Sequence, residues 1–289
     1  MANGNGTVVE RYAVPDGFGA RDAHGRPLEG RVVLVTGGGQ GIGEATARLA
    51  AIRGARAVAL CGRDADKLER VASELGCETL CVSVDLERVE DCFRFVDEAA
   101  SRFGAIHHLV NAAGLTDRGT IDDTSPELFD RTFAVNVRAP FFLMQRALPH
   151  LRKTGGTIVN VASIVAHGGP PMISAYCASK AAVGVLSKNV ANAVSRDRVR
   201  VNAINMGWTA TPGEHAVQTG WHGRGEDWLA ETDADQPFGR LSRAEDIARG
   251  ILFLLGPESG VMTGSIVDFE QHVIGNFSEA DSEQRDRDE

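Results

Sequence analysis

A tyrosine and a lysine four positions apart, Tyr176 and Lys180 in the stretch SAYCASK, have the clearest capacity for acid–base chemistry in this sequence. On a helix, residues at positions i and i+4 share a face. A free phenol has a pKa of about 10, so it exchanges protons poorly at neutral pH. An ammonium at ~6 Å, in an effective dielectric constant of ~20, favours the phenolate by roughly 2.8 kcal/mol, or about two pKa units. The spacing therefore predicts a phenol that exchanges a proton near physiological pH, although an isolated pair of this kind is more often inert.

Three further polar residues could belong to the same site. Ser163 ends the apolar run TIVNVAS at 157–163, and open α/β sheets build their sites at the carboxyl ends of strands. We expect its hydroxyl to hold a substrate carbonyl or alcohol. Asn136 lies in the predicted helix FAVNVRAP, where a buried amide without a partner would be costly, and an ordinary structural amide is its alternative. His167 follows Ser163 by four residues and is a candidate substrate contact.

A glycine-rich loop, VTGGGQGIGEATA at 35–47, follows the first apolar run and opens a helix. Its spacing, Gly37 then Gly41 then Gly43, differs from the general G-x-G-x-x-G fingerprint. Gly37 permits a tight turn, Gly41 lets the backbone approach a pyrophosphate, and Gly43 lets the helix pack closely on the sheet. The helix N-terminus offers free N–H groups to phosphates. The loop predicts a dinucleotide site, and a glycine loop without a ligand is the alternative.

The residue twenty positions after Gly43 indicates which dinucleotide binds. An acidic residue there would bind the 2′-hydroxyl of NAD, but this chain has Arg63. A guanidinium binds a phosphate through two hydrogen bonds, so the sequence favours NADP(H) over NAD(H). Alternatively, Arg63 points to solvent and Asp64 caps the next helix. Gln40 adds no second positive charge from the glycine loop.

Short apolar runs alternate with amphipathic segments along most of the chain. One predicted helix covers 87–103, and another begins at Ser125 with Pro126 in its first turn. This alternation predicts an α/β fold: a single-domain, Rossmann-like, doubly wound parallel sheet of about seven strands with helices on both faces. The predicted strands cover residues 31–36, 56–61, 78–84, 106–111, 157–163, 198–204 and 264–269.

Composition excludes several classes of partner. The net charge of −9 provides no basic surface for nucleic acid or an anionic membrane, and no run approaches the ~18 apolar residues of a membrane helix. Adjacent His107 and His108 would point to opposite faces of a strand, so no shared metal ion is expected. The cysteines lack paired spacing and predict reduced thiols in a cytoplasmic protein. They are Cys61, Cys77, Cys81, Cys92 and Cys177.

The ends of the chain differ in composition from its centre. Residues 1–30 lack periodicity and an apolar signal stretch, so we interpret them as an N-terminal extension. Residues 278–289 are polar and charge-dense, which is typical of an acidic, solvated tail. The predicted Rossmann-fold domain is therefore 31–277.

Together these motifs resemble the short-chain dehydrogenase/reductase family over residues 31–212. The stretch TGGGQGIG at 36–43 is similar to the family's cofactor loop, Asp85 to its adenine-contact aspartate, and NAAG at 111–114 to its sheet-stabilising motif. The catalytic tetrad is matched by Asn136, Ser163, Tyr176 and Lys180. The resemblance and the loop chemistry place the cofactor against Gly37, Gly39, Gln40, Gly41, Ile42, Gly43, Arg63, Asp85, Leu86, Asn111, Ala112, Ala113, Gly114, Tyr176, Lys180, Gly207, Thr209 and Thr211.

The resemblance implies a role for each member of the tetrad. Tyr176 is the acid/base, and Ser163 polarises the reacting oxygen. Lys180 holds the nicotinamide ribose and lowers the phenol pKa, and Asn136 anchors a water that leads protons to solvent. The expected reaction is NAD(P)-dependent interconversion of a secondary alcohol and a ketone. The alternatives are an NAD-linked dehydrogenase of a sugar or cyclitol, and a non-catalytic nucleotide-binding regulator. The resemblance also implies a homo-oligomer, a dimer or tetramer, packed through the helices around 126–150 and 175–195.

The sequence departs from the family pattern near the substrate. Met206 replaces a proline, and DFEQHV at 268–273 replaces the usual Asp-Gly-Gly ending. All three tryptophans lie in 207–238, the family's lid position, and Trp208 comes first. We expect one or more of these rings to cover a small-molecule alcohol or ketone, whereas packing of a short helix pair on the body is the alternative. The predicted substrate contacts are Ser163, His167, Tyr176 and Trp208.

Overall fold

The computed structural model describes residues 26–274. The predicted extension at 1–30 lies mostly outside this range, and the tail at 278–289 lies wholly outside it. Of the extension, Leu28 is buried, and its N–H donates to the Arg53 carbonyl at 3.1 Å. The last residues before the predicted boundary therefore pack against the domain.

Seven parallel strands form the sheet, in the order β3-β2-β1-β4-β5-β6-β9. The order reverses between β1 and β4, and ligands of open α/β sheets bind at such a switch point. The predicted seven-stranded, doubly wound sheet is confirmed. The seven strands are β1 (Val32–Thr36), β2 (Ala57–Gly62), β3 (Glu78–Ser83), β4 (His108–Asn111), β5 (Thr157–Ser163), β6 (Arg200–Met206) and β9 (Ile266–Phe269), and β7 (Thr209–Ala210) and β8 (Ser242–Arg243) form a separate short pair.

Helices cover both faces of the sheet. Helices α1, α2 and α9 pack on one face, and α3, α5 and α6 pack on the other. The described helices are α1 (Gly41–Ile52), α2 (Ala65–Ser73), α3 (Val89–Phe103), α4 (Pro126–Phe133), α5 (Ala139–Thr154), α6 (Ser174–Val194), α7 (Pro212–Gly220), α8 (Trp228–Ala234) and α9 (Ala244–Leu255).

Each central strand contributes side chains to two cores. In β1, Val33 and Val35 pack with α1, α2 and α9, whereas Val32 and Leu34 pack with α3 and α5. Side chains alternate across a strand, so a strand covered on both faces must be apolar at every position. This requirement explains the uninterrupted run VVLVT.

Local capping residues fix the start of the helical segment that leads to Asn136. Ser125 caps α4, as predicted, by accepting the Leu128 N–H at 3.2 Å, and Pro126 occupies the first turn. A π-helical turn at Ala134–Arg138 then separates α4 from α5. Such turns often mark functional sites, and this one contains Asn136.

Two phenylalanines on the helices expected to pack between subunits are partly exposed. Phe129 on α4 is 43% exposed and Phe141 on α5 is 44% exposed. The homo-oligomer itself remains a prediction.

Among residues 26–274, no helix has both the length and the apolar character to span a bilayer.

Candidate active site

A cavity of about 920 Å³ opens at the carboxyl ends of the central strands. Its walls come from the glycine loop, the ends of β2 and β4, Ser163, Tyr176 and the 207–238 segment. The fold therefore brings the predicted loop and the predicted acid/base group into one crevice. Within the described chain, no cluster of three or more His, Cys, Asp or Glu could hold a metal ion.

The glycine loop has the shape that the sequence predicts. Gly37 and Gly41 have φ of 69° and 58°, conformations that favour glycine. The Gly37 N–H donates to the Cys61 carbonyl at 2.8 Å, which ties the loop to the end of β2. A Cβ on Gly43 would overlap the Gly37 carbonyl. Helix α1 begins at Gly41 and directs its free N–H groups towards the cavity. The loop therefore fits dinucleotide phosphates.

Most predicted cofactor contacts lie along this wall. A shared anchor positions the NAAG segment, because the Thr36 hydroxyl accepts the N–H groups of both Ala112 and Ala113 at 3.0 Å. Of the predicted cofactor residues, those that line the cavity are Gly37, Gly39, Gln40, Gly41, Ile42, Gly43, Arg63, Asp85, Leu86, Ala112, Ala113, Gly114, Tyr176, Gly207, Thr209 and Thr211.

The other two predicted cofactor residues, Asn111 and Lys180, lie behind the wall. Asn111 donates to the Asn160 side chain at 2.7 Å and joins β4 to β5. This bond fits the sheet-stabilising role that the family resemblance implies. Lys180 is 5% exposed, and its Nζ donates to the Val161 carbonyl at 2.8 Å.

Two basic side chains stand at the far end of the cavity. Arg63 is exposed and forms no side-chain hydrogen bond or ion pair within the described residues. Lys67 lies in the first turn of α2, and its Nζ is 2.9 Å from Gln40 Oε1 and 3.8 Å from Asp64. Asp64 caps α2 by accepting the Lys67 N–H. Lys67 therefore supplies the second positive charge that Gln40 lacks.

Tyr176 and Lys180 lie on one face of α6, as their spacing predicts. The Lys180 ammonium is 5.6 Å from the centre of the phenol ring, and both residues are buried. Burial raises the pKa of Tyr176 to about 12, and the nearby Ser163 hydroxyl partly opposes this rise. Burial lowers the pKa of Lys180 to about 8.

The expected net lowering of the phenol pKa is therefore wrong for the protein without cofactor. Removing the phenol from water penalises the phenolate more than the neighbouring groups stabilise it. The same burial lowers the pKa of Lys180 only to about 8, so most of its ammonium remains protonated at neutral pH. At neutral pH, Tyr176 holds its proton.

Asn136, in the π-helical turn, uses both N–H donors of its side-chain amide. Its Nδ2 donates to the Leu115 carbonyl at 2.9 Å and to Ser179 Oγ at 3.0 Å, and its Oδ1 accepts the Leu115 N–H at 2.8 Å. Asn136 thus holds the segment that follows NAAG against α6. These bonds match the structural alternative for Asn136, and the proposed water is not tested by them.

The predicted substrate contacts separate into two groups. Ser163, Tyr176 and Trp208 line the cavity. His167 does not line it, because its Nε2 turns to Asp268 at 3.1 Å, and its side chain is 47% exposed. The short helix Ile164–His167 after Ser163 carries the imidazole away from the cavity. Within 207–238, Trp228 is buried and Trp221 is exposed.

Three charged residues that sequence reasoning missed line the same end of the cavity: Arg118, Glu214 and Glu270. Glu270 occupies one of the positions where the family usually has glycine, so the altered DFEQHV ending was its signal. Arg118 lies in a loop and Glu214 in the first turn of α7, where no sequence pattern distinguishes them from solvated charges.

Comparison with known proteins agrees with this geometry. A family model described as "Enoyl-(Acyl carrier protein) reductase" matches residues 37–270. An uncharacterized oxidoreductase of Thermotoga maritima is 37% identical over 84% of this chain and 97% of its own length. A probable galactose dehydrogenase of Rhizobium meliloti is 35% identical over 86% of this chain and 96% of its own.

A solved structure has the same fold. A short-chain dehydrogenase from Burkholderia cenocepacia, in complex with NADP, superposes with a TM-score of 0.77 at 30% identity. The match covers 85% of this chain and 98% of that one. The chain therefore belongs to the short-chain dehydrogenase/reductase family, as an oxidoreductase that acts on CH–OH or C=O groups with a nicotinamide dinucleotide.

Proposed function

We propose that the chain interconverts a secondary alcohol and a ketone, prefers NADP(H), and uses Tyr176 as its acid/base. The observation that carries the proposal is that Tyr176 and Ser163 line one cavity with the glycine loop. Proximity of this kind supports transfer of a proton to a substrate held beside the cofactor.

The protonated state of Tyr176 favours the reductive direction, from ketone to alcohol, at neutral pH. Burial keeps the pKa of Tyr176 at about 12, so the phenol carries a proton that it can donate to a carbonyl oxygen. Ser163 hydrogen-bonds the same oxygen and polarises the carbonyl. When bound, NADPH supplies the hydride. In the oxidative direction the phenolate must form first, so oxidation requires a higher pH or further stabilisation of the phenolate.

Lys180 and Asn136 support the phenol from behind the cavity wall. The Lys180 Nζ donates one hydrogen to Val161, so two of its three donors remain for the nicotinamide ribose and for the developing phenolate. Its positive charge lowers the cost of the phenolate during turnover. Asn136 keeps the Leu115 backbone and α6 in register, and in our proposal it anchors the water that leads protons to solvent.

Arg63 and Lys67 support the preference for NADP(H). Both line the end of the cavity beyond the glycine loop, and the NAD-type carboxylate is absent from position 63. A guanidinium and an ammonium would hold a ribose 2′-phosphate. The Burkholderia cenocepacia relative was solved with NADP. An NAD-linked dehydrogenase of a sugar or cyclitol is the second candidate, supported by the relative named as a probable galactose dehydrogenase.

Absorbance at the reduced-nicotinamide band tests the proposal. Purified protein is assayed with NADPH or NADH against cyclic and open-chain ketones, and with NADP⁺ or NAD⁺ against secondary alcohols. We expect turnover with both cofactors and a higher kcat/KM with NADP(H). Higher efficiency with NAD(H) would support the second candidate, and binding without turnover of any substrate would refute the proposed activity.

A further inference from the structure

We infer that the substrate is a neutral polyhydroxylated compound, a sugar alcohol or cyclitol or its ketone, recognised by Trp208, Glu214, Glu270 and Arg118. The inference rests on the proposed function, because it concerns the same cavity. It adds a substrate class and the residues that select it. The four side chains lie at the Tyr176 end of the cavity and are not members of the tetrad.

Trp208 forms a fixed aromatic wall. Its backbone N–H donates to Glu270 Oε2 at 3.1 Å, and its indole Nε1 donates to Glu214 Oε1 at 2.8 Å. The ring stacks on Trp228, with centroids 6.5 Å apart and an interplanar angle of 24°. Trp208 remains 40% exposed and lines the cavity. Because Glu214 and Trp228 hold the Trp208 ring in place, its exposed surface suits packing against the C–H groups of a cyclic or extended polyol.

Glu214 places an acceptor near the reacting group. Its Oε1 accepts from Trp208 and from Gln218 Nε2 at 2.7 Å, and Oε2 has no described partner. Within the described residues it forms no ion pair. Its charge raises the pKa of Tyr176, which places it within electrostatic reach of the phenol. A carboxylate can only accept hydrogen bonds, so its natural ligand in this cavity is a hydroxyl donor.

Glu270 adds a second acceptor from the sheet. Ser163, Met206 and Phe269 lie side by side in β5, β6 and β9. Glu270 follows Phe269, so it lies one residue beyond the level of Ser163. Its carboxylate folds over Gly207, where any side chain would collide with it. The Glu270 carboxylate accepts hydrogen bonds from the backbone N–H groups of Trp208 and Gln271. No Lys, Arg or His of residues 26–274 forms an ion pair with it.

Arg118 supplies the matching donor. Its Nε is buried and has no partner within residues 26–274, while Nη1 donates to the Thr116 carbonyl at 2.6 Å. Its charge lowers the pKa of Tyr176, so it also acts at the phenol end of the cavity. A buried donor without a partner is costly, and a substrate oxygen would satisfy it.

The combination of charges selects among substrate classes. An anionic substrate would meet the two carboxylates, Glu214 and Glu270, and a cationic substrate without acceptors would leave the Arg118 Nε, which has no partner among residues 26–274, unsatisfied. A neutral polyol satisfies all three, because each hydroxyl both donates and accepts. Sites built to bind hydroxyls also discriminate strongly against analogues that lack them, since the protein's own polar groups are then left unpaired.

Steady-state oxidation with NADP⁺ tests the substrate class. The probes are sorbitol, galactitol and myo-inositol as neutral polyols, cyclohexanol as the monohydroxy analogue, and gluconate as the anionic polyol. We expect the best polyol to exceed both cyclohexanol and gluconate in kcat/KM by at least about 100-fold. Glu214→Gln and Glu270→Gln should each lower the polyol-to-cyclohexanol ratio at least about tenfold, because each removes a charged acceptor.

Asp235→Asn is the matched control. Asp235 is an exposed carboxylate at the end of α8 and does not line the cavity, so this change should leave the ratio unaltered. Oxidation of cyclohexanol or gluconate as efficient as that of the best polyol would overturn the inference while leaving the proposed oxidoreductase activity intact. An unchanged ratio in both glutamine variants would overturn it too. No turnover of any alcohol or ketone would refute the proposed function and the inference together.

Discussion

Arg63→Ala should remove most of the preference for NADP(H) over NAD(H). The guanidinium stands at the cavity end without a described side-chain partner, so its hydrogen-bonding capacity is available to a 2′-phosphate. Lys67, by contrast, already lies 2.9 Å from Gln40 Oε1 and 3.8 Å from Asp64. The two substitutions should therefore differ in size, and Arg63→Ala should have the larger effect.

The expected magnitude follows from exposure and charge. A hydrogen bond to a charged group contributes about 1.5–3 kcal/mol, and solvent screening at the exposed Arg63 favours the lower part of that range. We expect a loss of about 1.5–2.5 kcal/mol in NADP(H) binding relative to NAD(H), a factor of roughly 10–70 in the ratio of dissociation constants. For Lys67→Ala we expect about 0.5–1 kcal/mol, a factor of roughly 2–5.

Titration of NADPH and NADH by fluorescence, at low and high salt, measures this ratio. The effect of Arg63 should shrink at high salt because ions screen exposed charges. Arg63→Lys should retain part of the preference, since it keeps the charge and loses the two-pronged geometry. Lys153→Ala, an exposed lysine in the last turn of α5 and outside the cavity lining, is the control. A ratio that Arg63→Ala leaves unchanged would refute this account of cofactor choice.

Three further predictions concern the scaffold. Gly43→Ala places a methyl group on the Gly37 carbonyl, so it should cost about 1–3 kcal/mol of stability and abolish measurable NADPH binding; calorimetric titration showing parental affinity would contradict this. Asn136→Ala orphans the Leu115 N–H and C=O and should lower the free energy of unfolding in urea by about 2–4 kcal/mol. Burial lowers the pKa of His108 to about 3, so the unfolded chain binds a proton first and stability falls by up to about 1.4 kcal/mol per pH unit from pH ~6.5 towards 3. His108→Leu should reduce that slope in acid-unfolding curves, and an unchanged slope would argue against it.

The fold was predictable because burial leaves little choice. Strands covered on both faces are largely apolar, as VVLVT and TIVNVAS show, and the buried Asn160 of TIVNVAS accepts a hydrogen bond from Asn111. Ser125 and Pro126 likewise fix the start of α4 by local capping chemistry. These signals depend on near neighbours in the chain, which sequence displays.

The residues of the site were predictable where their spacing along the chain places them on one face. Their pKa values were not, because these depend on how deeply the fold buries them. Tyr176 and Lys180 share a face because they are four positions apart, but the depth of their burial, and therefore the raised phenol pKa, depends on the whole fold. His167 was misplaced for a related reason. A short helix after Ser163 turns it towards Asp268, more than one hundred residues away in the sequence.

The central claim is that Tyr176 donates the proton that accompanies hydride transfer. The most direct measurement is single-turnover reduction of a ketone by prebound NADPH at neutral pH, for the parent and for Tyr176→Phe, with NADPH affinity determined on the same samples. Loss of a general acid predicts a slowing of roughly 10²–10⁴-fold in the variant that retains bound NADPH. A Tyr176→Phe protein that binds NADPH and reduces the ketone at the parental rate would contradict the account.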